Sequence, residues 1–241
     1  YNNVSDAIAA GATEITLIDN VNEEKAVEIN SNVTIDLNGK TISASNDSEG
    51  NGVFWVKEGA VLTLTGQGTI DGTNNASVYS MAIYADGGRV IIEDGIYKNT
   101  AVTGSDDQYD LVYASNGGII EINGGTFISK TPKWTLNIKD GTSSQIIVKG
   151  GKFYGYNPSH SETENPVANF VLDGYCAALD EDGYYVVDKH ISGEAEVENN
   201  VNPTCTEKGS YDTVIYCTRC EAELSRVPTT VDELEHKFTN Y

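Results

Sequence analysis

Four cysteines carry the sharpest chemical signal in this chain of 241 residues: Cys176, Cys205, Cys217 and Cys220. Cys217-Thr-Arg-Cys220 is a tight turn that presents two thiols to one point, between YDTVIY at 211–216 and EAELSRV at 221–227. That spacing is the one a zinc knuckle uses. Cys205 is read as the third ligand. The fourth is His236, sixteen residues after Cys220, or alternatively His190; spacing does not choose between them. The competing reading is a disulfide, Cys217–Cys220 or Cys205 with either, in an oxidising compartment. Zinc is favoured because so short a segment has little core and needs a staple. Either role is structural, since nothing points to an open coordination position. Cys176 has no flanking histidine and reads as a buried, inert thiol.

Carboxylates and aromatics are the other groups to weigh. Asp71, Glu93, Asp94 and Glu121 fall at related repeat positions, so a carboxylate pair on one face is conceivable for glycoside chemistry. Charged strand residues are far more often an outward, solvated ladder. Asp106, Asp107 and Asp110 share a loop and offer oxygens to Ca²⁺, but acidic loops are commonly just solvated. No catalytic residue is assigned. Trp55, Tyr84, Tyr113 and Trp134 recur in or beside the first strand of successive repeats. Pointing outward they form a platform for sugar rings; pointing inward they are core. Apolar neighbours on both sides leave the parity open.

These residues sit on a repeating frame. The phrase GGRVIIEDGIYKN at 87–99 returns as GGIIEINGGTFIS at 117–129, and in related form at 32–43, 59–72 and 143–155. Its second turn is marked by Gly39, Gly66, Gly95, Gly125 and Gly151, at steps of 27, 29, 30 and 26 residues. A period of this size is the mark of stacked structural repeats. Each repeat holds three short alternating runs separated by turns, which describes one coil of a parallel β-helix. Val90 and Ile92, Ile120 and Ile122, and Ile146 and Val148 are expected to stack as interior columns. A short helix over 4–10 caps one end, and a hairpin with its turn at Asp182-Gly183 closes the other. The polar loops at 43–52, 73–80, 100–110 and 129–133 emerge on one side, where repeat proteins often bind. The fold class is therefore all-β: a parallel β-helix domain over 1–189 (cap 1–20, coils 21–155, cap 156–189) and a small Cys/His hairpin domain over 190–241.

A net charge of −21 argues against nucleic acid and against an anionic membrane surface, because no basic stripe exists to replace counterions. No run approaches the length of a membrane-spanning helix. Tyr1 and Tyr241 read as the ends of a piece from which a leader or anchor could have been removed.

VTIDLNGKTIS at 33–43, the Gly-Gly-strand-Gly-Gly phrases and NFVLDGYCAALDEDGYYVV resemble right-handed parallel β-helix proteins of the pectin lyase-like superfamily. The likeness is to modules of bacterial surface proteins and of phage structural proteins. The tail resembles the small Cys/His repeats that follow such modules, through HISGE at 190–194, PTCTEKGSYDTVIYC at 203–217, CTRC and LEHKF at 234–238. The resemblance implies a fold and no single activity, since this fold hosts lyases, hydrolases, adhesins and tailspikes. The expectation is a non-catalytic, extracellular or cell-surface module (or a virion component) that binds polysaccharide or a surface protein. It carries structural zinc and has no membrane insertion of its own. The alternatives are a polysaccharide lyase or hydrolase using the coil-face carboxylates, and a phage tail or baseplate part.

Overall fold

The computed structural model describes residues 1–45, 51–73, 80–100 and 109–236. It divides into two compact units, Tyr1–Asp188 and Lys189–Tyr241. No helix among the described residues is long and apolar enough to cross a membrane.

The first unit is a parallel β-solenoid. Alternating apolar residues bury every second side chain of each short strand, and coils pair edge to edge in register. In the first sheet Ile35 lies beside Leu64, Leu64 beside Ile92, Ile92 beside Ile122 and Ile122 beside Val148. The column of Val33, Leu62, Val90, Ile120 and Ile146 runs beside it. The second sheet stacks Ile42, Ile70, Tyr97, Phe127 and Phe153. There the rings of Tyr97 and Phe127 lie 4.9 Å apart, and those of Phe127 and Phe153 4.7 Å apart, nearly parallel. Such stacked rings add to the area they bury. The third sheet stacks Val27, Phe54, Ile83, Val112 and Leu136. All three sheets turn their columns into one continuous core.

The corners need glycine for two separate reasons. Gly125 has φ +94, a left-handed conformation that side chains disfavour. Gly150 has an ordinary φ, but a Cβ there would lie 2.2 Å from the carbonyl oxygen of Asn123 in the previous coil.

Each end of the solenoid is closed by different chemistry. The helix Val4–Ala9 covers the N-terminal end and buries Val4 and Ala7. Its first amides are held by the buried Glu23 carboxylate, which accepts from the Val4 N–H at 2.7 Å and from the Ser5 hydroxyl at 2.8 Å. At the other end the chain forms a hairpin from Tyr175–Leu179 and Tyr184–Lys189. The second arm pairs antiparallel with Gly151–Tyr154, and the first arm is the edge strand that ends the second sheet. The third sheet ends at Leu136–Ile138, where the Glu164 carboxylate accepts the Ile138 N–H at 3.0 Å. That is a bond a further coil would otherwise take.

The second unit is an antiparallel sheet of Ser192–Val201, Gly209–Cys217 and Glu223–Val231, with Gly209–Cys217 in the centre.

Two outcomes follow. Gly150→Ala forces the Asn123 carbonyl to move and is expected to cost about 1–3 kcal/mol, read from the midpoint of urea unfolding. The Glu164 carboxyl is pushed up by burial, against the bond from Ile138 and with added repulsion from Asp140. Its folded pKa therefore lies above the unfolded value. Its contribution to stability is fully present below the unfolded pKa and is lost as pH rises through the folded one. Glu164→Gln keeps an acceptor for Ile138 without the charge. The variant is expected to match the parent's melting temperature below about pH 4 and to equal or exceed it at pH 7.

Candidate metal centre

The knuckle sits at the end of the central strand of the small sheet. The Cys217 N–H donates to the Ala222 carbonyl at 2.8 Å and the Glu221 N–H to the Cys217 carbonyl at 2.9 Å. Glu221 takes φ 59 to close this turn, the left-handed geometry usually left to glycine or asparagine. The segment before the sheet is pinned to the same turn, because the Thr218 N–H donates to the Ile191 carbonyl at 2.9 Å. That contact places His190 beside the knuckle, with Nδ1 at 3.6 Å from Cys220 Sγ. The ligand atoms of His190, Cys217 and Cys220 all lie within 4.8 Å of one another, close enough to hold a metal ion. Tetrahedral bonds of about 2.1–2.3 Å set ligand atoms roughly 3.5–3.8 Å apart, so little rearrangement is needed.

The environment favours thiolate. Burial of Cys217 would raise its pKa, but the backbone N–H groups of Arg219, Ile191 and Cys220 and the His190 ring outweigh it and hold the thiol at about 5. Thiolate is the form that binds metal. None of the four cysteines is in a disulfide.

Of the ligands expected from spacing, the structure brings Cys217 and Cys220 together with His190, the alternative histidine. It does not bring Cys205 or His236 to them. Cys205 is exposed in the turn that precedes Gly209–Cys217, whereas Cys217 ends that strand. Nine residues of strand at about 3.3 Å each therefore lie between the two positions. His236 follows Leu234, whose N–H donates to the Thr204 carbonyl, so it too falls at the far end of the sheet. A short separation in sequence became a long one because the intervening residues are fully extended.

The sequence reads Cys176 as a buried, inert thiol, since no histidine flanks it. It is buried, in Tyr175–Leu179.

The aromatic residues separate into two groups. Trp55, Tyr84 and Tyr113 form an outward column on the third sheet, in register with Glu28 before them and Asn137 after. All three are partly exposed. Trp55 and Tyr84 have ring planes within 6° at 6.4 Å, and Tyr84 and Tyr113 lie 5.4 Å apart. The Trp55 indole N–H and the Lys57 ammonium both donate to Asp86, at 3.0 and 2.9 Å, and the ammonium lies 3.5 Å from the Trp55 ring centroid. Burial would raise the Asp86 carboxyl, yet donors from Lys57, Asn116 and Trp55 lower it. Tyr84 is raised chiefly by burial, and its hydroxyl pairs with Ser115 at 2.9 Å. Trp134 is elsewhere. It ends the 3₁₀ turn Pro132–Trp134, before the strand that supplies Asn137 to the column. Its indole N–H is enclosed without an acceptor.

The carboxylates are largely tied up as a ladder. Asp71 pairs with Lys98, Glu93 accepts from Asn123, and Asp94 accepts the Gly95 N–H. Glu121 is gripped by Arg89 and Lys149, and the Lys149 bond leads the causes that lower its pKa. A general acid needs the opposite shift. Asp106 and Asp107 lie outside the described residues, as do 46–50, 74–79 and 101–108 of the loops at 43–52, 73–80 and 100–110. Asp110 is buried and accepts from Asn137 at 3.0 Å.

Comparison of the chain with protein-family models, with curated proteins and with solved structures finds no match.

Cys217→Ser and Cys220→Ser are each expected to remove most of the bound metal from protein purified without chelator. Cys205→Ser is expected to leave metal content unchanged. Elemental analysis per mole of chain decides it, and a loss caused by Cys205→Ser alone would overturn this ligand assignment.

Proposed function

We propose that this chain is a non-catalytic module of a secreted or cell-surface protein. The β-solenoid presents a glycan-binding face, and the small unit is held together by structural zinc. One observation carries the reading of the face: the outward column Trp55–Tyr84–Tyr113, repeated at the spacing of the coils. The Trp55 and Tyr84 side chains are held by Asp86, Lys57 and Ser115 before any ligand arrives, so little of their side-chain entropy remains to be lost. A polymer of similar short repeat, lying along the solenoid axis, meets one aromatic edge per coil. The chain's charge of −21 disfavours polyanions, so the ligand class is a neutral polysaccharide. The ion-paired carboxylates favour binding over hydrolysis. The pectin lyase-like likeness of the repeat is in keeping with this, since that fold commonly serves sugars.

Zinc is the metal because two thiolates and an imidazole converge on a backbone-closed knuckle, the donor set zinc prefers. In a sheet whose buried apolar side chains are Val214 and Cys217 among the described residues, metal binding supplies what core packing does not.

The test is binding of the whole chain to a panel of insoluble neutral polysaccharides. Trp55→Ala and Tyr84→Ala are each expected to weaken retention about tenfold, a loss of about 1.4 kcal/mol. New reducing or unsaturated ends would overturn the non-catalytic reading. Retention by a protein partner alone, with no polysaccharide bound, would overturn the glycan reading.

A further inference from the structure

We propose that the solenoid carries a second binding site near its C-terminal end, a cavity of about 270 Å³ that takes a small hydroxycarboxylate. The site is separate from the aromatic face and lies wholly within the first unit. Three segments build it: Lys133 comes from the 3₁₀ turn, Asn157, His160 and Glu162 from the stretch after the last coil, and Tyr185 from the closing hairpin. Each segment is pinned by hydrogen bonds. The Trp134 N–H donates to the Thr131 carbonyl at 2.9 Å, the Gly155 N–H to the Gly183 carbonyl at 3.0 Å, and the His160 N–H to the Asn157 carbonyl at 3.0 Å. Tyr185 stands in register with Phe153. Tyr156, also in the lining, is buried, and its hydroxyl bonds to the Leu136 carbonyl at 3.3 Å and to Ser161 at 3.0 Å. A frame held in this way needs little ordering when a ligand arrives.

The polar side chains of this cavity differ from those along the coils. There, charged groups pair across rungs: Lys57 with Asp86, Lys98 with Asp71, and Arg89 and Lys149 with Glu121. In the cavity lining, the Lys133 ammonium, the His160 ring, the Glu162 carboxylate and the Tyr185 hydroxyl have no hydrogen-bond or ion-pair partner among the described residues. Asn157 adds to them. Its side-chain oxygen accepts from the Ser159 N–H at 3.0 Å and from the Ser159 hydroxyl at 2.7 Å, which leaves its amide N–H groups to donate elsewhere. Four donor groups therefore share one cavity with a single carboxylate. Such an excess of donors, one of them an ammonium, suits a ligand carboxylate. Glu162 is then the acceptor for a hydroxyl on the same ligand, and the Tyr185 ring is an apolar wall for its carbon chain. The volume falls below the roughly 300 Å³ at which ligand pockets commonly begin, which limits the occupant to one small molecule. The charge of −21 that turns away a polyanion acts weakly on a single carboxylate, because charges beyond about 10 Å are screened at 0.1 M salt.

The experiment titrates D-gluconate into the full chain and follows the imidazole proton signals of its three histidines by NMR. The His160 signal, assigned with His160→Gln, is expected to shift saturably while those of His190 and His236 stay in place. D-Glucose has the hydroxyls without the carboxylate, and acetate has the carboxylate without the hydroxyls. Each is expected to bind about tenfold more weakly than gluconate. Lys133→Met is expected to weaken gluconate about tenfold, and Tyr185→Phe, which keeps the ring, about threefold, both with the parent's sheet content by circular dichroism. A parent chain whose His160 signal does not shift saturably, or whose three histidines shift alike, would overturn the site. Glucose or acetate binding as tightly as gluconate would overturn the ligand class. Unchanged affinity in Lys133→Met would overturn the placing of the carboxylate.

Discussion

The structure of the first unit depends on one constraint: each inward side chain must sit on its counterpart one coil away. Parallel strands in register make each inward residue the packing partner of its counterpart in the next coil, so a column is apolar along its whole length. Some columns are built of near-equals, as in Ile35, Leu64, Ile92, Ile122 and Val148, and others mix aliphatic residues with rings, as in Ile42, Ile70, Tyr97, Phe127 and Phe153. The same register fixes the outer face with no further cost in conformational freedom. If Phe54 and Ile83 stack inside, Trp55 and Tyr84 must stack outside. The outward aromatics and the ion-paired ladder around Glu121 are thus consequences of core packing, available for use once the core exists.

The second unit obeys a different logic. Its strands are long, but its described buried apolar side chains are Val214 and Cys217. Arg226 gathers Glu198, Asp212 and Glu223 on one face, and Tyr216 donates to Glu198. Exposed ion pairs of this kind contribute little each. What orders the end of the sheet is the knuckle, where backbone hydrogen bonds set the thiols before a metal is needed.

Much of the solenoid was legible in the sequence, because period-two alternation inside a period near 28 residues admits few folds. The columns through Val90, Ile120 and Ile146 could be read directly. The parity of the aromatics could not, since Trp55 lies between Phe54 and Val56 and either register buries apolar surface. The knuckle was legible from Cys217 and Cys220, whereas spacing offered His190 only as an alternative to His236. Chain separation is a poor guide to distance when a nine-residue extended strand stands between Cys205 and Cys217.

Interchangeable rungs make a solenoid a one-dimensional lattice, and a lattice grows wherever its last layer is bare. Glu164 occupies the Ile138 amide that a stranger's strand would need for a foothold. A carboxylate is well suited to that post, because an incoming strand would have to displace it and leave a charge stranded at a dry joint. The bond thereby blunts that edge against pairing with a further strand, as covered sheet edges do.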